Sequence, residues 1–471
     1  MTAGPATAQR WAVAVTALAG LLVTLDALVV TTALGAIRAA FDTSAEALEW
    51  TVTAYVLTFA VLLMPGTALG DRFGRRRVFV AGLVTFAVAS AACALAPTVG
   101  ALIAARAFQG AGAALVMPLA LALLSTAVPP DRRAGALGIF TGVTGVAVPL
   151  GPLLGGAVVS GISWAWIFWI NVPVVAVLVV LASTRLTESF GPRNRTDPVA
   201  LLLVAGAALG LVWGLVRGNA AGWTSVEVLS SLVAGVLLVV GFAGWQRRAA
   251  EPLVPADVLG SRAFVVGAVA IFLQWGSVLG ALFFMAQFLQ DGLGFSPLRA
   301  GLGLVPWGAT TFLVPPIAGH FIGRVGVRPF IVAGLGLHAA AMVWIAVIVD
   351  PGLGYGQLIA PLVVSGTGVA LALPATQAAA LSGVGPGSVG AASGAYSTMR
   401  QLGGVFGVAV VVSAFLAAGS YASPRTFATG FAAALAACAA LSLVGALTGL
   451  VAPRSSAPAA RPVVTGRVTA S

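Results

Sequence analysis

Asp26 is the residue with the most chemistry to offer, because it lies inside an apolar run from about Trp11 to Leu34. A charge at the centre of a bilayer costs about 2.5–3.5 kcal/mol on insertion scales, so it needs a partner or a use. Arg106 offers itself as partner, in the segment Arg106-Ala107-Phe108-Gln109-Gly110-Ala111-Gly112 of another apolar run. Both sit roughly eight residues from the outer ends of their runs, which at about 1.5 Å per residue places both ~12 Å deep and predicts a pair. A guanidinium favours the ionised carboxylate, whereas burial favours the neutral acid. A site that loses its partner when a cationic or bulky ligand enters therefore binds and releases a proton near neutral pH. A fixed ion pair bracing two helices is the competing reading of the same two residues.

Charge is concentrated again in Gly66-Thr67-Ala68-Leu69-Gly70-Asp71-Arg72-Phe73-Gly74-Arg75-Arg76-Arg77, a loop between apolar runs with glycines on both sides of its acid. Gly138, Ala147 and then Val148-Pro149-Leu150-Gly151-Pro152-Leu153-Leu154-Gly155-Gly156 form a small-residue stripe, which permits close helix packing. The Gly151-Pro152 step is expected to bend that helix. Tyr55, Gln109, Gln274, Trp275 and Gln377 are aromatic and amide residues of the kind that line binding cavities. Arg400, in Arg400-Gln401-Leu402-Gly403-Gly404, is expected to face the cavity or to snorkel. His338 is titratable, but a lone histidine in a helix is more often packed and hydrogen-bonded.

These residues must be held by membrane-spanning helices. Of 471 residues, 59% are apolar and 8% charged, too little polar surface to coat a water-soluble globule of this size. Runs of roughly 20 apolar residues, each able to cross a ~30 Å hydrocarbon core, recur from Trp11 to Val451, and fourteen are expected. With the N-terminus taken as cytoplasmic, eighteen arginines outside the spans fall inside and only Arg38, Arg217, Arg299 and Arg425 outside. That asymmetry predicts that both termini are cytoplasmic. The formal charge of +11 is scattered in short clusters without a continuous basic face, so no nucleic-acid partner is expected. Cys93 and Cys438 lie in apolar runs and suggest neither disulfide nor metal. A chain without lysine has no phosphate-cradling Gly-x-x-x-x-Gly-Lys loop, so the chain does not pump with ATP. Its two histidines, His320 and His338, form no cluster with acids or serines, so neither enzyme, metal nor cofactor is indicated.

The chain also repeats itself. Val80-Ala81-Gly82-Leu83 matches Val332-Ala333-Gly334-Leu335, and Gly110-x-Gly112-x-Ala114-Leu115-x-x-Pro118 matches Gly366-x-Gly368-x-Ala370-Leu371-x-x-Pro374. Two six-span halves follow, with an inserted pair between them. The expected divisions are a six-helix bundle over 1–183, linkers with the inserted pair over 184–262, a second six-helix bundle over 263–452, and a disordered tail over 453–471.

The loop from Gly66 to Arg77 resembles the signature between spans 2 and 3 of the major facilitator superfamily. The span 1 segment Leu25-Asp26 to Ala33-Leu34, the Arg106 segment and the Gly151–Gly156 stripe resemble those of its fourteen-span drug:proton antiporter family. This implies an all-α membrane protein of major facilitator fold, with fourteen transmembrane helices. Gly66, Asp71, Arg72, Gly74 and Arg75 would form a gating loop and charge relay, Asp26 and Arg106 the proton-coupling pair, and Gly151, Pro152, Gly155 and Gly156 the antiporter helix. Three positions depart from the pattern: Gly35 replaces a usual proline, Ala147 a glycine and Ala165 an arginine. The implied function is proton-coupled efflux of lipophilic drugs, antibiotics or related metabolites from the cell through the inner membrane. The expected cargo is amphipathic, neutral or weakly cationic, and the expected state a monomer in lipid. A proton-linked importer or an uncoupled facilitator on the same fold is the alternative.

Overall fold

The computed structural model describes residues 5–191, 197–249, 252–382, 384–385 and 388–452. The expected tail over 453–471 lies outside the described residues. In chain order the helices are α1 (Pro5–Phe41), α2 (Ala45–Phe73), α3 (Arg75–Ala94), α4 (Val99–Ala127), α5 (Pro130–Gly145), α6 (Ala147–Gly161), α7 (Trp166–Trp169), α8 (Asn171–Arg185), α9 (Pro198–Ala221) and α10 (Val226–Gln246). After these come α11 (Ala256–Gly260), α12 (Arg262–Gln287), a π-turn (Phe288–Gly292), α13 (Pro297–Gly303), α14 (Val305–Val325), α15 (Val327–Ile348), α16 (Gly356–Leu381), α17 (Val389–Ala418) and α18 (Pro424–Leu450). Among the described residues, thirteen helical stretches are long and apolar enough to span a membrane. The pair Pro297–Gly303 and Val305–Gly319, bent by 41°, supplies the fourteenth.

Local chemistry sets where helices begin. Ser44, Thr98, Ser225, Ser261 and Ser296 each accept a bond from a first-turn amide, and Ser423 forms a capping box with Thr426. Two reversals need positive φ and use glycine: Gly74 at 106° between α2 and α3, and Gly326 at 89° between α14 and α15. They occupy corresponding places in the two halves of the repeat. The same correspondence holds in the packing. A Cβ on Gly112 would lie 2.7 Å from Phe86 N and 2.9 Å from Gly82 O, binding α3 to α4; one on Gly368 would lie 2.7 Å from His338 N and strike Gly334 O, binding α15 to α16.

The small-residue stripe departs from expectation in one respect. The helix is interrupted at Val146, between α5 and α6, while Pro152 lies inside α6. Val146 itself keeps helical angles and its amide still bonds Gly142 O; the break falls where Pro149 has no N–H to offer the Gly145 carbonyl four residues earlier. α9 and α10 pack on each other, and α9 also lies on α2 and α17. α10 is outermost, and its Leu237 and Val240 present apolar surface that only lipid can cover.

The terminal end is where α1 starts and α18 finishes; the other is the far end. At the far end α6 packs on α13 and α14, and α1 on α12. Gln290 Nε2 of the π-turn donates to Thr32 O at 3.1 Å, and Leu298 N donates to Ser160 Oγ at 3.1 Å. Arg38 pairs with Asp291 at 3.8 Å and lies 4.3 Å above the Tyr421 ring. At the terminal end α2 and α17 make the junction, where Met64 packs against the cluster of Ala392, Ala395 and Tyr396.

Candidate functional site

Asp26 and Arg106 meet. Arg106 Nη1 donates to Asp26 Oδ2 at 2.6 Å, and both side chains are enclosed, at 0% and 1% exposure. The pair belongs to a larger network. Asp26 Oδ1 accepts from Gln109 Nε2 at 2.9 Å and from Asn171 Nδ2 at 2.7 Å. Asn171 and Gln109 also donate to Ser90 Oγ, at 2.9 and 3.2 Å, while Ser90 Oγ donates to Phe168 O. Arg106 is fixed by Gln109 Oε1 at 2.7 Å, by Thr51 O at 3.1 Å and by the Tyr55 ring, 4.2 Å from the guanidinium carbon. Tyr55 in turn donates its hydroxyl to Val23 O.

Such a carboxylate receives three donors, one of them charged, in a dry site, which compensates its desolvation. The network draws Asp26 from α1, Ser90 from α3, Arg106 and Gln109 from α4, and Asn171 from the start of α8, so a change of charge on Asp26 is felt by four helices. Among the described residues Arg106 Nη2 has no hydrogen-bond partner. Gly110 allows this approach: a Cβ there would collide with the Tyr55 carbonyl.

The terminal-end loop is a second charged constellation. Asp71 Oδ1 accepts from Arg75 Nε at 2.7 Å across the Gly74 turn. The segment after α8 wraps this turn: Gly191 N donates to Asp71 O and Arg75 N to Ser189 O. Glu188 accepts from the Arg76 and Arg77 amides at 2.8 and 3.3 Å, neutralising the positive start of α3. Gly66 lets α2 and α4 touch, since a Cβ there would lie 2.6 Å from Ala114 O. Arg72 is exposed, its guanidinium 5.1 Å from the Phe73 ring.

In α12 to α18 the expected cavity residues do not converge. His338 is fully buried between Ser277 Oγ at 3.0 Å and Ser365 Oγ at 2.8 Å, with Trp307 stacked near its ring. Gln274 is buried and donates to Val369 O. Gln377 is exposed. Trp275 and Arg400 come together, with the guanidinium 5.1 Å from the indole. In the other half Tyr55 and Gln109 belong to the Asp26 network and have no exposed surface. A groove of about 600 Å³ between α1 and α5, bordered by Arg10, Arg132, Val13, Leu18 and Ile139, contains none of the residues singled out from the sequence.

The sequence profile described as "Major Facilitator Superfamily" matches residues 16–408. The chain belongs to the major facilitator superfamily. Among its relatives, the tetracenomycin C resistance and export protein of Streptomyces glaucescens is 35% identical over 397 residues, covering 83% of this chain and 73% of that protein. The cephamycin export protein CmcT of Amycolatopsis lactamdurans is 35% identical over 420 residues, 87% and 85% of the two chains. Multidrug resistance protein Stp of Mycobacterium tuberculosis (strain ATCC 25618 / H37Rv) is 33% identical over 398 residues, 84% and 74%. A crystal structure of a POT family transporter in complex with a thioalcohol-conjugated peptide aligns with a TM-score of 0.70 at 14% identity, covering 93% of this chain and 95% of that one, which establishes likeness of fold.

As a major facilitator the chain is a multi-pass membrane transporter, and its buried polar groups acquire weight accordingly. Sequence reasoning missed three of them. Asn171 has a side-chain amide in an apolar stretch but was assigned no role, and Ser90 carried no signal beyond polarity. Glu49, 1% exposed and with Oε1 unpartnered among the described residues, is a second enclosed carboxylate; its position five residues into α2 hid it among helix-start acids.

Proposed function

We propose that the protein is a proton-coupled efflux antiporter that exports lipophilic drugs, antibiotics or related metabolites by alternating access, with both termini cytoplasmic. The observation that carries this reading is the enclosed Asp26 carboxylate held by Arg106, Gln109 and Asn171. Protonating Asp26 cancels the attraction to Arg106 and leaves its guanidinium without a counter-charge, so the protonated and ionised networks favour different helix arrangements. The far-end contacts through Gln290, Ser160, Arg38 and Asp291 support assignment of this state as closed to the outside. In the proposed cycle, opening the far end wets Asp26, a proton enters from outside, and its release inside accompanies loading of cargo. The Asp71–Arg75 turn, tied to Gly191 and Glu188, stabilises one of the two states. The names of three relatives as export or resistance proteins support the outward direction.

The test uses inverted membrane vesicles with an acidic lumen and a panel of lipophilic dyes and antibiotics. Adding a transported compound should release lumenal protons from wild-type vesicles and none from Asp26→Asn vesicles. Coupling that survives in Asp26→Asn makes Asp26 structural. If no compound moves protons in wild type while dyes still equilibrate, the uncoupled facilitator reading takes over; dye and protons that move in the same direction favour the proton-linked importer.

A further inference from the structure

Arg400 is the twelfth of thirty residues in α17, about 17 Å from the helix start at 1.5 Å per residue. At that depth a cation requires compensation. The fully buried guanidinium, Arg106, has a carboxylate at 2.6 Å, whereas no carboxylate pairs with the partly buried Arg400 among the described residues. Its Nε is sheltered and has no acceptor among the described residues. What it does have is an aromatic face: the Trp275 indole 5.1 Å away, on the neighbouring α12. Tyr396, one turn earlier on α17, is occupied by a bond to Thr376 Oγ1 at 3.0 Å. Gly403 and Gly404 bring α12 and α17 together, and a Cβ on Gly404 would lie 3.0 Å from Trp275 Cδ1, so the ring's position is set by backbone packing. Arg400 and Trp275 are both only partly buried, one turn from the Tyr396 cluster that Met64 of the other half touches.

The site is therefore a planar, positively charged fork beside a planar ring, at the junction of the halves, lacking an anion. We propose that Arg400 and Trp275 form the cargo-selecting site, and that the preferred cargo is a planar aromatic acid carrying a carboxylate or phenolate. The guanidinium would take the anion with paired N–H bonds and the indole would stack on the ring system. This inference rests on the export reading and departs from the neutral or weakly cationic cargo expected from the sequence.

Two xanthene dyes separate charge from shape: 5-carboxyfluorescein is anionic and rhodamine 6G cationic on a common ring system. Binding to the purified full-length protein, followed by fluorescence polarisation without any gradient, should be at least tenfold tighter for carboxyfluorescein. Arg400→Gln should lose that preference through weaker carboxyfluorescein binding, with rhodamine 6G changed less than twofold. Arg400→Lys, which keeps the charge but loses the fork, should fall between, and Trp275→Leu should weaken both dyes. Should Arg400→Gln fail to fold, the lysine and leucine variants carry the test. A wild-type preference for rhodamine 6G, or carboxyfluorescein binding unaltered in Arg400→Gln or in the Arg400→Lys and Trp275→Leu pair, overturns the proposal. Because no proton gradient is used, binding that follows the prediction in a protein that fails to move protons contradicts the antiport reading and leaves this one standing.

Discussion

The Asp26 network shows how an acid is kept in a dry helix bundle. Arg106 supplies charge, but the two amides fix geometry: Gln109 and Asn171 both donate to Oδ1, leaving Oδ2 to the guanidinium. Removing one member of a buried ion pair costs about 3–5 kcal/mol, because the other charge is left unpaired. Asp26→Ala should therefore lower thermal stability markedly, while the double variant Asp26→Ala/Arg106→Ala should recover part of the loss, measured by thermal unfolding in detergent. Asn171→Ala removes a neutral donor to a charged acceptor and should cost about 1.5–3 kcal/mol. A smaller effect than Asp26→Ala is expected from the same scan; an equal or larger one would mean that Asn171, and not the ion pair, organises the site. The pairing of Asp26 and Arg106 was legible in the sequence because charges in apolar runs are rare and their depth can be counted. Asn171 and Ser90 were not, because an amide or hydroxyl in a membrane helix has too many possible partners for spacing to choose one.

Small residues do different work in different elements. Gly66 and Gly110 are points of helix contact, where an added methyl meets the Ala114 and Tyr55 carbonyls, whereas Gly138 faces open space. Overpacking of a tight contact costs typically 1–3 kcal/mol and surface changes stay within about 0.5 kcal/mol. Gly66→Ala and Gly110→Ala should each destabilise the protein in that range in the same unfolding assay, and Gly138→Ala should not. The motif containing Gly138 could not distinguish these roles, since a glycine in a sequence reports small volume and says nothing of what lies opposite. The helix count was readable from apolar run lengths. The break at Val146 was not, because its proline stands three residues on: Pro149 has no N–H for Gly145 O, while the Gly151-Pro152 step that drew attention lies inside a continuous α6. Gly74 and Gly326, each six residues before the repeated Val-Ala-Gly-Leu, stand at equivalent turns in the structure, where both reversals take positive φ.

At the scale of the whole molecule, two kinds of contact close the far end and they differ in strength. The Arg38–Asp291 pair is about one-third exposed on each side at 3.8 Å, so it contributes at most about 1 kcal/mol. The α6–α13 seam is a backbone contact, in which a Cβ on Gly156 would strike the Pro297 carbonyl and one on Gly301 the Pro152 carbonyl. Gly156→Ala should therefore open the far end more than Arg38→Gln does. Spin labels at the exposed Ala40 and Ala422, on opposite halves, read this as a longer inter-label distance; the reverse order would place the closure in the charges. The central claim, that one carboxylate exchanges a proton for cargo, is tested most directly with purified protein in liposomes containing no other transporter. An outward gradient of carboxyfluorescein or another transported dye is imposed and the lumenal pH followed, alongside exchange of labelled for unlabelled dye. The account predicts that wild type converts the dye gradient into a pH change, and that Asp26→Asn exchanges dye without moving protons. Dye exchange in wild type with no pH change, or proton movement that persists in Asp26→Asn, would contradict it.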